Sequence, residues 1–221
     1  FFFRSALMNP SSFEREQTVA VEAVREAAKL CQAVQADIDG DVLEKKDRTP
    51  VTVADFGSQA LICRTLRAAF PDDPIIGEED SSALRTAENA AVLDAVTRRV
   101  QALRPEADRD AVCRWIDYGN AREYADRFWT LDPIDGTKGF VRGDQYAIAL
   151  ALVVDGRPRV GALACPNLPD ELDDPTTTGQ VFTAVRGGGA RRVPAVAGNG
   201  AAEAIHASAV ADPAEGQFCD S

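Results

Sequence analysis

Apolar residues near the start of the chain recur at the three- and four-residue spacing of an amphipathic helix. Between residues 13 and 36 they include Val21 and Val24, and together they form one apolar face. Ser11 or Ser12 lies where a side chain that caps the first helical turn is expected. The pattern therefore predicts a long structural helix over residues 13–36, with one face buried against a core.

Three further segments are predicted to be helical. The residues after Asp55 are apolar at helical spacing and stop at the proline-rich turn 70–74, which places Asp55 near a helix N-terminus. A capping aspartate is the simplest interpretation of that position. Residues 45–50, which precede this helix, form a charged loop, and composition predicts helices over residues 87–103 and 108–117.

The second half of the chain is dominated by predicted strands. Residues 146–154 are nearly all apolar, which predicts a strand buried on both faces. Asp155 and Gly156 form a hairpin turn after it, and residues 168–179 are predicted to be a polar loop. The triple glycine 187–189 predicts a hairpin bend rather than a phosphate cradle, because no helical pattern follows it. The other predicted strands are residues 75–76, 159–165, 181–185 and 190–193.

The polar residues with the clearest chemical potential are two aspartates that follow the apolar stretch 128–131. Asp132 and Asp135 are separated by Pro133 and Ile134, and a proline, which has no N–H group, ends regular strand pairing. Both carboxylates can then face one point, with the Ile134 carbonyl between them, and Mg²⁺ prefers such oxygen donors. A turn with solvated aspartates explains the same residues.

Other acidic residues also lie at the boundaries of apolar segments. Glu78 and Glu79 follow the predicted strand 75–76, and Asp55 precedes a helix. Each alone is typical of a solvated loop or a helix cap. Carboxylates at several strand ends suit a two-metal site, which stabilises both the attacking and the leaving oxygen of a displacement.

Composition limits the classes of protein that remain. The net charge of −11 over 221 residues argues against nucleic-acid polymers and anionic membranes as partners, and no apolar run approaches the ~20 residues of a membrane span. The single histidine, His206, excludes a His-rich zinc site and most Ser-His-Asp catalysis. The five cysteines have no C-x-x-C spacing, which predicts reduced thiols and a cytoplasmic or organellar location.

Four segments resemble the inositol monophosphatase superfamily, and within it the 3′(2′),5′-bisphosphate nucleotidases. They are residues 49–55, 75–80, 128–146 and 165–169. Two of them carry the Gly-Glu-Glu and Asp-Pro-Ile-Asp-Gly-Thr motifs of the superfamily. The Lys-Gly-Phe tripeptide 138–140, directly after the second motif, resembles the nucleotidase branch. Several motifs in the same order make the combination specific.

The resemblance implies a role for each acidic residue. Glu78 and Asp132, with the Ile134 carbonyl, would hold a first Mg²⁺ ion, and Asp135 would share a second ion with Asp132. Glu79 would lie just outside these metal ligands. Bound Mg²⁺ would also bridge an acidic protein to an acidic substrate.

The resemblance also implies the chemistry. Asp55 and the Thr137 hydroxyl would orient and deprotonate the attacking water, and the backbone of Gly136 and Thr137 would hold the scissile phosphate. Water would remove the 3′-phosphate of adenosine 3′,5′-bisphosphate to give AMP, without a phosphoenzyme. 3′-Phosphoadenosine 5′-phosphosulfate would be a second substrate, which would link the chain to sulfur metabolism.

The implied fold is α+β: the N-terminal part of the layered sugar-phosphatase sandwich, with helices packed on a mixed, largely antiparallel sheet. Residues 1–12 would form a tail and residues 13–221 the metal-binding domain, while the second α/β domain of the superfamily would be absent. We therefore expect a monomer that binds Mg²⁺ weakly and turns over slowly. Two alternatives are an inositol phosphate or polyphosphate phosphatase of the same superfamily and a catalytically inactive binding module.

Overall fold

Two long helices pack on one face of a seven-stranded sheet in the computed structural model, which describes residues 13–38, 49–171, 174–194 and 201–216. The helices are α1 (Glu14–Gln35), α2 (Thr49–Ala69), α3 (Ala90–Leu103), α4 (Arg109–Asp117) and α5 (Thr137–Arg142), with 3₁₀ turns at Ala87–Asn89 and Pro213–Glu215. The strands are β1 (Ile75–Ile76), β2 (Arg127–Asp135), β3 (Ala147–Val154), β4 (Arg157–Glu171), β5 (Asp174–Val185), β6 (Gly189–Pro194) and β7 (Glu203–Ile205).

The strands lie in the sheet in chain order. β1 pairs with β2 in parallel, and every later neighbour pairs antiparallel. Tight turns connect β3 to β4 and β5 to β6, where Gly156 and Gly189 adopt positive φ angles of 66° and 83°. The predicted α+β class and mixed, largely antiparallel sheet are confirmed, and so is the glycine-rich hairpin.

Helix α1 has the predicted bounds within two residues, and its apolar face is buried. Its N-cap is Phe13, without a side-chain capping bond, and the predicted caps Ser11 and Ser12 lie outside the described residues. Gly57 in α2 accounts for the close packing of the two helices, because a Cβ there would lie 2.8 Å from a methyl carbon of Leu30.

The prediction that Asp55 lies at a helix N-terminus is wrong. Helix α2 begins at Thr49, so Asp55 is its seventh residue and residues 49–50 are helical rather than part of a loop. Pro50 fits in the first turn, where its missing N–H has no intrahelical acceptor to satisfy. Val51 and Val53 are buried, and that burial outweighs the modest helix propensity of β-branched residues.

Two strand predictions also need correction. β3 alternates between buried and partly exposed residues rather than being buried on both faces; the partly exposed face contributes to an open concavity of about 490 Å³. The predicted loop 168–179 is largely strand, because β4 and β5 continue as a long hairpin. The pairing shifts register between Cys165 and Pro169, so the prolines are accommodated at an irregularity.

The described cysteines Cys31, Cys63, Cys113 and Cys165 are free thiols, as predicted. Burial raises the pKa of the Cys31 and Cys63 thiols, so both are poor nucleophiles. No stretch of helix among the described residues has the length and hydropathy of a membrane span.

Asp73 joins the turn before β1 to strand β2. Its carboxylate accepts hydrogen bonds from Arg127 Nε at 2.8 and 2.9 Å and from Trp129 Nε1 at 3.0 Å. The Asp73 side chain is 14% exposed, and Trp129 is completely buried. Loss of this carboxylate would leave the buried indole N–H without its acceptor and the Arg127 guanidinium with Glu16 as its remaining partner.

We expect Asp73→Ala to lower the free energy of unfolding by about 2–3 kcal/mol, measured by urea denaturation. Glu106→Gln is the control, because Glu106 also pairs with an arginine, Arg64, but is 53% exposed. The control should leave the denaturation midpoint unchanged. Equal midpoints for the wild type and Asp73→Ala would contradict the structural role of Asp73.

Candidate active site

Strand register brings Glu78 next to Asp132. Ile75 and Ile76 pair in parallel with Trp129 and Thr130. Because both strands run in the same direction, Glu78 and Asp132 each lie two residues beyond the last of these pairs. Asp132 lies close enough to Glu78 that its carboxylate helps to raise the pKa of Glu78. Residues separated by more than fifty positions are thus brought to neighbouring strand ends, and their role as metal ligands stays a prediction.

The acids destabilise one another's charged forms. Burial raises the pKa of Glu78, and the carboxylates of Asp132 and Asp135 raise it further. Burial and then Asp135 raise the pKa of Asp132, while burial and then Glu78 raise the pKa of Glu79. No lysine or arginine among the described residues forms an ion pair with any of these side chains.

Among the acidic residues of this cluster, Asp55 has the most strongly raised pKa. It lies on α2, half-buried, and burial together with Glu79, Glu78 and Asp132 raises its pKa to about 8. A carboxyl that is desolvated and surrounded by like charges is held in its neutral form. Asp55 therefore faces the same acidic cluster as the residues of the two strand ends.

The sequence suggested that the apolar strand ends at Pro133. Instead, β2 continues through a bulge at residues 133–134 and ends at Asp135. The pairing of β2 with β3 shifts register between Asp132 and Asp135 and resumes at Asp135 with Ala147. The Ile134 N–H donates to Asp132 Oδ1 at 3.1 Å. Gly136 then adopts a φ of 89° and turns the chain into helix α5, a backbone conformation that favours glycine.

Some predicted partners are not in contact. The Thr137 hydroxyl lies 3.5 Å from the Ile134 carbonyl, and no hydrogen bond joins it to Asp55. No group of three or more His, Cys, Asp or Glu side chains among the described residues is close enough, as placed, to hold a metal ion. Repulsion between carboxylates opposes closer approach when no cation separates them.

The donor set nevertheless fits a divalent cation of the Mg²⁺ type. Its donors are carboxylate and backbone carbonyl oxygens, with no thiolate or imidazole among them, and such sets suit Mg²⁺. Glu78 and Asp135 are exposed, so an ion has access from solvent. Because Glu78 and Asp132 lie side by side, a cation between them would neutralise both carboxylates.

Two residues that hold this site together were missed by sequence reasoning. Ser58 and Gln59 are completely buried in α2, three and four positions after Asp55, and therefore on the same helix face. The Ser58 hydroxyl donates to the Pro133 carbonyl at 3.3 Å. Gln59 bonds to the backbone of Glu79. The available signal was a pair of polar residues at helical spacing from Asp55 inside an apolar segment.

The chain combines an α+β fold with acidic residues at the ends of adjacent strands. Sequence comparison identifies the class of protein to which it belongs. Residues 13–214 match the model of the Inositol monophosphatase family. The chain belongs to this family, and the resemblance found in its motifs is confirmed.

Several relatives of the chain have names that specify an activity. A Schizosaccharomyces pombe protein named 3′(2′),5′-bisphosphate nucleotidase is 42% identical over 80% of this chain and 55% of its own length. An Arabidopsis thaliana protein named 3′(2′),5′-bisphosphate nucleotidase 1 is 44% identical over 72% of this chain and 48% of its own length. An Emericella nidulans protein named 3′(2′),5′-bisphosphate nucleotidase is 38% identical over 95% of this chain and 66% of its own length. The chain thus spans about half to two thirds of the length of these relatives.

The fold is shared with a solved structure of the same family. The structure of CysQ from Bacteroides thetaiotaomicron, described as a bacterial member of the inositol monophosphatase family, superposes with a TM-score of 0.50. The superposition covers 90% of this chain and 60% of that protein at 18% sequence identity. At that identity the comparison supports the fold alone.

Proposed function

We propose that this chain carries the metal-binding half of a Mg²⁺-dependent 3′(2′),5′-bisphosphate nucleotidase. The substrate would be adenosine 3′,5′-bisphosphate, with 3′-phosphoadenosine 5′-phosphosulfate as a second substrate. The names of the relatives support the choice of substrate. The structural observation that carries the proposal is the pairing of β1 with β2, which sets Glu78 beside Asp132, with Asp135 at the end of the same strand.

Glu78, Asp132, Asp135 and the Ile134 carbonyl would hold the metal. Bound divalent ions polarise phosphoryl oxygens and lower the pKa of water, which is the chemistry they would supply here. The carboxylates would have to rotate inward to enclose an ion, since they are too far apart as placed. At the bulge at residues 133–134, side chains no longer alternate strictly between the two faces of the sheet. Asp132 and Asp135 can therefore turn toward the same point.

The protein groups around the metal would orient the reactants. A bound cation would neutralise the carboxylates around Asp55 and so lower its raised pKa. The ionised Asp55 and the Thr137 hydroxyl would then position the attacking water and accept its proton, and the backbone of Gly136 and Thr137 would hold the scissile phosphate. The new bond forms between the water oxygen and phosphorus, and the phosphorus–O3′ bond breaks. The O3′ atom takes up a proton, so the products are AMP and inorganic phosphate.

Phosphate release is the test of this proposal, measured with this chain and with any longer form of the protein that carries it. We expect release from adenosine 3′,5′-bisphosphate in Mg²⁺, its loss when EDTA removes the metal, and little release from AMP. Faster hydrolysis of inositol 1-phosphate would instead favour the inositol phosphatase alternative. Absence of Mg²⁺ uptake in calorimetry would favour a binding module and overturn the proposal.

A further inference from the structure

Gln59 connects helix α2 to the acidic loop that follows β1. Its Oε1 accepts a hydrogen bond from the Glu79 N–H at 2.9 Å, and its Nε2 donates to the Glu79 carbonyl at 2.6 Å. Nε2 also donates to the Ile116 carbonyl at the end of α4, at 3.1 Å. The buried amide thus pairs with the Glu79 backbone as a neighbouring strand would, and no further protein acceptor is needed.

Two glycines make room for this amide. A Cβ at Gly77 would lie 2.5 Å from Gln59 Oε1, and a Cβ at Gly119 would lie 2.8 Å from Gln59 Nε2. The two glycines are themselves joined, because the Gly77 N–H donates to the Gly119 carbonyl at 2.8 Å. Glycine is therefore required at residue 77 by close approach to a side chain rather than by an unusual φ angle.

Ser58 makes the corresponding connection to the second acidic loop. The β2 bulge leaves the Pro133 carbonyl outside the β2–β3 ladder, and the Ser58 hydroxyl donates to it at 3.3 Å. Adjacent residues of one helix therefore bond to the backbone of both acidic loops. Asp55 lies one turn earlier on the same helix face.

We propose that Gln59 and Ser58 are positioning residues that set the distance between the Glu78 loop and the Asp132–Asp135 bulge, and thereby the affinity for the divalent cation. The inference rests on the proposed function, because it concerns the same metal site. Repulsion between the acids pushes the two loops apart, and the bonds from α2 oppose that separation. The loops are then held in place before a cation binds, which lowers the ordering cost of binding.

The test compares Gln59→Met with Gln101→Met. Methionine keeps the length of the side chain but removes both hydrogen-bonding groups. Gln101 is the control, because its Nε2 also donates to a backbone carbonyl, that of Ala107 at 2.6 Å, on a helix that bears no proposed ligand. We expect Gln59→Met to weaken Mg²⁺ binding about 10-fold or more by calorimetry, and Gln101→Met to leave it unchanged.

A double-mutant cycle separates positioning from general destabilisation. Gly77→Ala should weaken Mg²⁺ binding in the wild-type background, because the added methyl group meets the Gln59 amide. In the Gln59→Ala background that amide is gone, so Gly77→Ala should weaken binding no further. Such non-additivity identifies a direct interaction between the two positions, whereas independent losses of stability would add.

Hydrogen exchange distinguishes failure of this inference from failure of the proposed function. The Glu79 amide should exchange faster in Gln59→Met than in the wild type, with or without metal. Faster exchange together with unchanged Mg²⁺ affinity would overturn the positioning role and leave the proposed function intact. A wild-type chain that takes up no Mg²⁺ would overturn the proposed function, and the positioning role with it.

Discussion

Asp135→Asn is expected to abolish measurable turnover and to weaken Mg²⁺ binding while the chain stays folded. The carboxamide keeps the shape of the side chain but removes the negative charge that a hard cation requires. Residues that only support metal ligands cost about 10- to 100-fold in affinity or activity when replaced, so loss of a ligand should cost at least about 100-fold. Asp135 is exposed and forms no ion pair with the described part of the chain, so circular dichroism should show an unchanged fold.

Asp144→Asn is the matched control for this experiment. Asp144 is exposed in the loop after α5, and its substitution removes the same charge a short distance along the chain from Asp135. The control should retain turnover and Mg²⁺ affinity within about twofold, because Asp144 is not among the carboxylates that raise the pKa values of the acidic cluster. Full activity in Asp135→Asn, or an equal loss in both variants, would remove Asp135 from the proposed ligand set.

Asp55→Asn should make the metal-free chain more stable, and increasingly so as the pH rises. The ordinary pKa of this carboxyl is 3.8, and in the folded chain it is about 8. Between these values the folded state holds a proton that the unfolded state has released, so the wild type loses stability as the pH rises from about 4 to 8. Asparagine does not ionise, and the advantage at pH 9 should be at least about 2 kcal/mol.

Magnesium should reverse that ranking. A cation that binds only the folded chain stabilises it by mass action, and the wild type has one more charge at the cluster to attract it. Thermal unfolding at pH 5, 7 and 9, in EDTA and in excess Mg²⁺, tests both effects. Asp72→Asn, in the exposed turn before β1, should show neither. A pH-independent difference between the wild type and Asp55→Asn would contradict the environment described for Asp55.

Local patterns in the sequence were sufficient to predict the helices and strands that bury one continuous face. The apolar stripe of α1 and the alternation of apolar segments with turns predict the helices and most of the sheet. The acidic motifs around Glu78 and Asp132 identified the family. Glu78 lies close to Asp132 because β1 pairs with β2. The sequence alone does not reveal that pairing, and only the resemblance to the family indicated that the two residues meet.

Features that depend on distant partners could not be predicted in this way. Asp55 looked like a cap because Thr49 and Pro50 resemble a loop, and only burial against the core shows that they begin a helix. Gln59 bonds to Glu79, 20 positions away, and Ser58 bonds to Pro133, 75 positions away. Such side-chain-to-backbone bonds leave no periodic signal at either end.

Manganese in a crystal of this chain provides the most direct test of the acidic cluster as a metal site. Mn²⁺ binds the same oxygen donors as Mg²⁺, and its anomalous scattering locates it without ambiguity. We predict an anomalous peak at about 2.0–2.2 Å from carboxylate oxygens of Asp132 and of Glu78 or Asp135, a distance typical of such small divalent ions. A crystal in which Mn²⁺ binds only elsewhere, with no ion against Glu78, Asp132 or Asp135, would contradict the proposed site.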